Sequence, residues 1–376
     1  MYSYQMPPKQ RAADAWRRVS TWYGRWERPI SSISLVGGFV FDAVTLRRVD
    51  LFWENFWVVA HLSIVGCCII LANAIERREK AETDPARLHF WLVNIMQFFF
   101  GGIWSTFLVY YFRSGSLAVD WPFLALLAAA FVANERLKHH YARLGFQIAL
   151  FYLSLFTFAI FIVPVFVHAV GPFVFLASGA ASLAAIAVFL LVLRIAAQET
   201  FRRQIGRIAI IVGGTFAAVN ALYFLSVIPP LPLSITDSGI YHAFAVNAPG
   251  RYTATYEPQG WSSFFMVGGE TVHLTPGSPL YAYTAVFSPQ YFNMEIIHEW
   301  QWYNASSSQW MTESRIPLTV TGGQNGGWRT FSMNPNPAPG AWRVNVETQS
   351  GAVIGRLDFT VLAASTTPPL ATRVIN

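Results

Sequence analysis

Ile296, His298, Trp300 and Trp302 alternate with Glu295 and Glu299 along one run, 293–303. On an extended strand this spacing puts the imidazole among tryptophans on one face and the carboxylates on the other. Acid–base or nucleophilic chemistry would need a second titratable group beside the histidine, and a metal would need two or three further ligands. His242 and His273 are available, but no spacing links them to His298. The pattern reads as a hydrogen-bonded histidine of a core or groove. His298, Trp300, Trp302, Trp328, Arg329 and Trp342 form the candidate contact set for a ligand or partner. No catalytic residue and no metal site is assigned.

A second polar cluster gathers Asp42, Arg47, Arg48, Asp50 and Glu54 around one short turn between apolar runs. Ionisable groups inside apolar spans are the usual functional suspects. A carboxylate this close to a helix end can instead pair with the arginines at headgroup level and fix a hairpin. A proton or ion path would need further charges at mid-depth, where only Asn73, Asn94, Gln97, Gln147 and Asn220 stand. Buried amides more often join helices. His61 and His168 could ligate haem or a pigment, but no paired spacing supports it, and the sequence requires no cofactor beyond bound lipid. The adjacent Cys67 and Cys68 exclude a disulfide framework and read as small packing residues.

The elements that must carry these residues change character at Pro229-Pro230. The chain has 376 residues, 54% hydrophobic and 12% charged, about half the charge of a soluble domain. Before the prolines, seven apolar runs are expected to cross a bilayer: 31–46, 51–74, 88–111, 117–134, 145–168, 171–194 and 207–228. Residues 1–30 lack an apolar signal core. Their Trp16, Val19, Trp22, Tyr23 and Trp26 recur at helical spacing among arginines, as in an amphipathic helix lying in the interface. Ala177, Gly179, Ala181, Ala185, Gly213 and Ala217 are small residues at close-packing spacing.

Charge then orients the spans. Residues 1–30 carry 6 Lys+Arg, 75–87 carry 4, 135–144 carry 3 and 194–207 carry 4, against Arg47, Arg48 and Arg113 on the opposite side. This bias places the N-terminus in the cytosol and, with an odd span count, the C-terminal domain outside it. The formal charge of +6 therefore belongs to membrane loops and does not signal nucleic-acid binding.

After a Pro-rich linker, 229–236, short alternating runs separated by Gly, Pro and Asn turns predict an all-β sandwich over 237–363 and a tail, 364–376. Expected strands are 239–245, 251–256, 262–267, 280–287, 293–303, 315–321, 328–333, 341–347 and 353–361. The last two show it best: Trp342, Val344 and Val346 alternate with Arg343, Asn345 and Glu347, and Leu357, Phe359 and Val361 with Arg356, Asp358 and Thr360. The fold class is thus a membrane helical bundle followed by a sandwich-like extracytoplasmic domain.

His298-Glu299-Trp300, Trp328-Arg329-Thr330-Phe331-Ser332, Gly340-Ala341-Trp342-Arg343-Val344 and the stretch from Gly351 through Gly355 to Phe359 resemble a bacterial domain of unknown function. It sits at the C-terminus of uncharacterised multi-span membrane proteins, whose first hairpin is similar to Gly38-Phe39 with Asp42, Leu46 and Asp50. The resemblance implies a bacterial inner membrane and this architecture, and it brings no activity. Three functions follow as expectations. The first is a non-catalytic accessory or scaffold subunit of a larger inner-membrane complex, respiratory or photosynthetic, with other membrane subunits and lipids as partners. The second is a periplasmic ligand or glycan receptor using the Trp300/Trp302 face as its groove. The third is a transporter or membrane enzyme built on Asp42.

Overall fold

The computed structural model describes, with short gaps, residues 52–75, 85–114, 143–258 and 270–375, and parts of 37–44 and 121–131. The expected interfacial helix at 1–30, the Pro229-Pro230 step, the strand at 262–267, and Arg47, Arg48 and Asp50 lie outside the described residues.

Among the described residues, five long helices occupy the first half: α1 (Phe52–Ile75), α2 (Pro85–Ser114), α3 (Leu144–Val167), α4 (Pro172–Ala196) and α5 (Gln198–Phe224). Each is long and apolar enough to cross a membrane. This corrects the expected seven spans to five among the described residues. The runs 31–46 and 117–134 are shorter than the ~20 residues a crossing needs, and the first carries Asp42. Only isolated helical stretches of them are described, 39–44 and parts of 121–131.

Helix α3 ends at His168 in the left-handed conformation, φ 53°, and Gly171 with Pro172 starts α4 after a tight turn. Helices α4 and α5 are parted by Ala197 alone, whose backbone leaves the helical region. Packing follows small residues. A Cβ on Gly66 would meet Phe151 and Phe189, and one on Gly179 would meet Phe216 at 3.1 Å. Of the expected packing glycines, Gly179 is therefore closed in, while a Cβ on Gly213 would meet open space. Phe156 stacks on Phe216, and Phe175 lies on Tyr223 at 3.7 Å. Asn73 Nδ2 donates to Gln147 Oε1 at 2.8 Å, so one of the expected amides does join two helices. Asn220 instead donates to Phe216 O of its own helix. Outward, the bundle shows large apolar side chains such as Phe173, Val188, Leu191, Ile195 and Ile210.

Among the described residues, the second half holds eleven strands: β1 (Ser234–Tyr241), β2 (Ala243–Ala248), β3 (Arg251–Tyr256), β4 (Glu270–Leu274), β5 (Leu280–Phe287), β6 (Asn293–Asn304), β7 (Gln309–Thr321), β8 (Trp328–Asn334), β9 (Gly340–Thr348), β10 (Val353–Ala363) and β11 (Ala371–Ile375). They form three sheets, ordered β1-β5-β8, β4-β10-β9-β6-β7 and β11-β3-β2. The sheet β1-β5-β8 is the middle layer. Its Leu280, Ala282 and Val286 pack against Ile296, Trp300, Val344 and Phe359 of the five-stranded sheet. Its Tyr283 and Ala285 pack the other way, against Ala254 and Ile375. Strand β5 is buried on both faces, which is why its sequence, LYAYTAVF, is almost continuously apolar.

The expected two-layer sandwich is thus a stack of three sheets. The third sheet draws on residues assigned above to a tail: Ala371–Ile375 pairs antiparallel with Tyr252–Tyr256. Strand β1 likewise begins inside the expected linker. Two halves meet at the β9–β10 turn, where Thr348, Ser350 and Ala352 lie against Pro164, Val174, Phe175 and Tyr223 of the bundle.

Candidate functional site

Strand β6 carries both faces of interest. Inward, His298 is fully buried, at 0% exposure, and so is Trp300. The His298 ring spans two layers: Nδ1 lies 2.8 Å from Ser332 Oγ and Nε2 2.8 Å from Thr284 Oγ1, both on the middle sheet. Trp300 Nε1 donates to Ser332 Oγ at 2.9 Å, and Thr284 lies 3.1 Å from Thr330. A neutral ring protonated at Nε2 satisfies every member: Trp300 to Ser332, Ser332 to His298, His298 to Thr284, Thr284 to Thr330. Burial pushes the His298 pKa down to about 3, since nothing charged compensates an imidazolium there. His298 is a polar pin within an apolar core.

The other candidate contacts divide. Trp342 is buried beside Trp300, their rings edge to face. Trp302 and Trp328 are half-buried at the rim of the same core, and a Cβ on Gly340 would stand 3.1 Å from Trp302 Nε1. Arg329 is half-buried on β8, opposite Ala285. The structure therefore closes the Trp300/Trp302 face into the core, against the expectation of a groove. Inter-layer packing decides this, and one strand's alternation cannot report it.

The outward face of the five-stranded sheet is where charged groups collect. Glu299 and Glu347 are each only 6% exposed, and Arg315 bridges them with Nη1 2.9 Å from Glu299 and Nη2 3.3 Å from Glu347. Thr312 Oγ1, Gln301 Nε2 and Asn345 Nδ2 all donate to the Glu299 carboxylate. Burial raises the Glu299 pKa, but these hydrogen bonds and Arg315 outweigh it and hold the group below its ordinary value. Glu347 is pushed up to about 7 by burial and by the neighbouring Glu299 carboxylate, which favours its protonated form. Glu299 is thus the more acidic of the two carboxyls. Towards the tip, Arg343 Nε donates to Gln301 Oε1 and its guanidinium lies 4.3 Å over Trp310, which in turn packs on Tyr303. Met311, the next residue along β7, pairs with Trp302 and so lies on the opposite face, 48% exposed.

Sequence reasoning put Glu295 and Glu299 on one strand face and Arg343, Asn345 and Glu347 on another, but missed that they meet with Arg315 on a single sheet face. A signal was present: all six cations after Arg207 are arginines, with no lysine. Arg, Trp, Tyr and Met are enriched and Lys depleted at protein contacts.

Elsewhere, Glu257 joins the two histidines that spacing left apart, accepting at 2.8 Å from His242 Nε2 and 2.9 Å from His273 Nδ1. Among the described residues, no three His, Cys, Asp or Glu side chains gather as a metal site. In the bundle, Asp42 faces Ser105 and His61. Glu54, expected in the charge cluster, accepts from Tyr110 at 3.0 Å. His61 Nδ1 donates to Trp57 O, and its Nε2 edge is pressed on Gly102, where a Cβ would sit at 3.0 Å. That edge is the one a haem iron or pigment metal would need. His168 stands outside the bundle core, its ring edge-on to Tyr291 at 5.5 Å.

Comparison with known proteins adds little beyond the domain. A family described as a protein of unknown function, DUF2914, matches residues 293–361. The segment covers β6 to the inner part of β10 and holds Glu299, Arg315, Arg343 and Glu347, consistent with a C-terminal domain of unknown function. No curated protein matches. Among solved structures, Pseudomonas fluorescens alkylpurine DNA glycosylase AlkC, bound to DNA containing an abasic site analog, aligns at 9% identity over 84% of this chain and 99% of that one. Its TM-score of 0.21 is too low to indicate a shared fold.

Proposed function

We propose that this chain is a membrane-anchored docking subunit of a larger bacterial inner-membrane complex. Its bundle sits among lipids and other subunits, the N-terminus lies in the cytosol, and the β-domain is on the periplasmic side. The observation that carries the reading is the outward face of the five-stranded sheet. Glu299, Arg315, Gln301 and Arg343 hold one another in fixed geometry, and Trp310 and Tyr303 offer an aromatic, partly exposed tip. Rigid side chains lose little entropy when a partner covers them, and Trp, Tyr and Arg dominate contact energies. Exposed apolar side chains around α4 and α5 support the membrane setting, since they would have no favourable surroundings in water.

The test is purification from native membranes in mild detergent. Partners should accompany the chain at fixed stoichiometry, and Trp310→Ala with Arg343→Glu should release them while the fold persists. Recovery of the wild-type chain only as a lone monomer would overturn the reading.

A further inference from the structure

A cleft of about 600 Å³ opens between the α3–α4 turn and the start of β6, a volume within the range of small-molecule sites. Its polar lining includes His168, Asn293, Glu295, Thr319, Gln349 and Ser350. Glu295 is the lining's one residue of fixed formal charge, and Gln349 Nε2 holds it by donating to Oε2 at 2.7 Å. Neither Lys nor Arg lines the cleft, so an anionic ligand would meet an uncompensated carboxylate.

At the rim, two non-glycine residues adopt the left-handed conformation, His168 at φ 53° and Tyr291 at φ 66°. Their rings face each other edge-on at 5.5 Å, with Phe292 behind. At His168 this conformation caps helix α3, whereas at Tyr291 no helix requires it, and such backbone clusters at ligand clamps. Beside the turn, Phe166, Val167 and Phe173 are 77%, 55% and 88% exposed, so the rim is continuous with the bundle's apolar outside.

We propose that this cleft binds the ammonium headgroup of a zwitterionic aminophospholipid, with Glu295 taking the ammonium and the exposed Tyr291 ring at the rim closing over it through cation–π contact. The acyl chains would leave past Phe166 and Phe173. The proposal rests on the membrane setting proposed above, and adds a ligand and a site to it.

The full chain in detergent micelles can be titrated calorimetrically with dihexanoyl phosphatidylethanolamine, dihexanoyl phosphatidylglycerol and free ethanolamine. Phosphatidylethanolamine should saturate one site. The glycerol headgroup, and Glu295→Gln with phosphatidylethanolamine, should each bind about tenfold more weakly. Tyr291→Gly keeps the backbone conformation without the ring and should lose several-fold. Equal binding of the two lipids, or unchanged affinity in Glu295→Gln, overturns the proposal; free ethanolamine binding as tightly as the lipid overturns the lipid as ligand. Alkaline carbonate extraction separates the two failures. A chain retained in the membrane without headgroup selectivity refutes the cleft alone, whereas a released chain refutes the membrane setting.

Discussion

Nδ1 of His298 and Oγ of Ser332 lie 2.8 Å apart across two layers of the β-domain, and Ser332 also accepts from Trp300. One hydroxyl thus fixes the orientation of both the histidine and the largest fully buried ring nearby. A polar network with every member satisfied specifies one packing of its layers, and removing a member leaves the others unpaired in an apolar core.

His298→Ala should therefore destabilise the β-domain by about 2–4 kcal/mol, the sum of a cavity and orphaned partners on Ser332 and Thr284. Chemical denaturation of the full chain, followed by tryptophan fluorescence, measures it. The acid response carries a separate signature. The folded pKa is lowered from 6.5 to about 3, so the unfolded state binds the extra proton. Stability is then full above pH 6.5 and is lost as pH falls towards 3. His298→Asn should remove that part of the acid loss even where it costs stability at neutral pH.

Glu347 has the opposite sign. Its folded pKa is raised from 4.5 to about 7, so the folded state holds the proton more tightly. Its contribution is full below pH 4.5 and is lost as pH rises through 7, with a ceiling of about 3 kcal/mol. Glu347→Gln should flatten the stability profile between pH 4.5 and 8. A profile as steep as wild type would mean that Glu347 is not the group whose titration shapes it.

Asn73 and Gln147 should couple. Each single change to Leu removes the interhelical bond and sets a buried amide against an apolar side chain, although Asn73 keeps its bond to Ile69 O, while the double change removes both amides. A double-mutant cycle read by thermal unfolding in detergent should give a coupling of about 0.6–2 kcal/mol. Additive losses would show that the 2.8 Å contact contributes nothing net.

Gly179→Leu should weaken the α4–α5 contact by about 1–3 kcal/mol, because Phe216 stands 3.1 Å from the position of a Cβ and is itself stacked on Phe156. Gly213→Ala, where a Cβ meets nothing, should leave the melting temperature in detergent unchanged or slightly higher.

The sequence by itself determined the two-part division, the helices α1 to α5, most strands and the alternation of β6, β9 and β10. Those follow from local periodicity: a helix or strand must turn one stripe of residues towards apolar surroundings, and the stripe is written in the chain. It also held the recognisable motifs, spread from His298 to Phe359. What it missed was long-range. Alternation put His298 and Trp300 on one face of β6, but only the arrival of β5 and β8 made that face a core and left Glu299 with Glu347 on the other. The pairing of Ala371–Ile375 with β3, the bridge from Glu257 to His242 and His273, and the cleft between His168 and Glu295 join segments far apart in the chain. No local pattern encodes such pairs, because each partner's spacing is satisfied by its own strand or turn. Three-layer packing decides which faces meet, and so decides which charged groups remain outside.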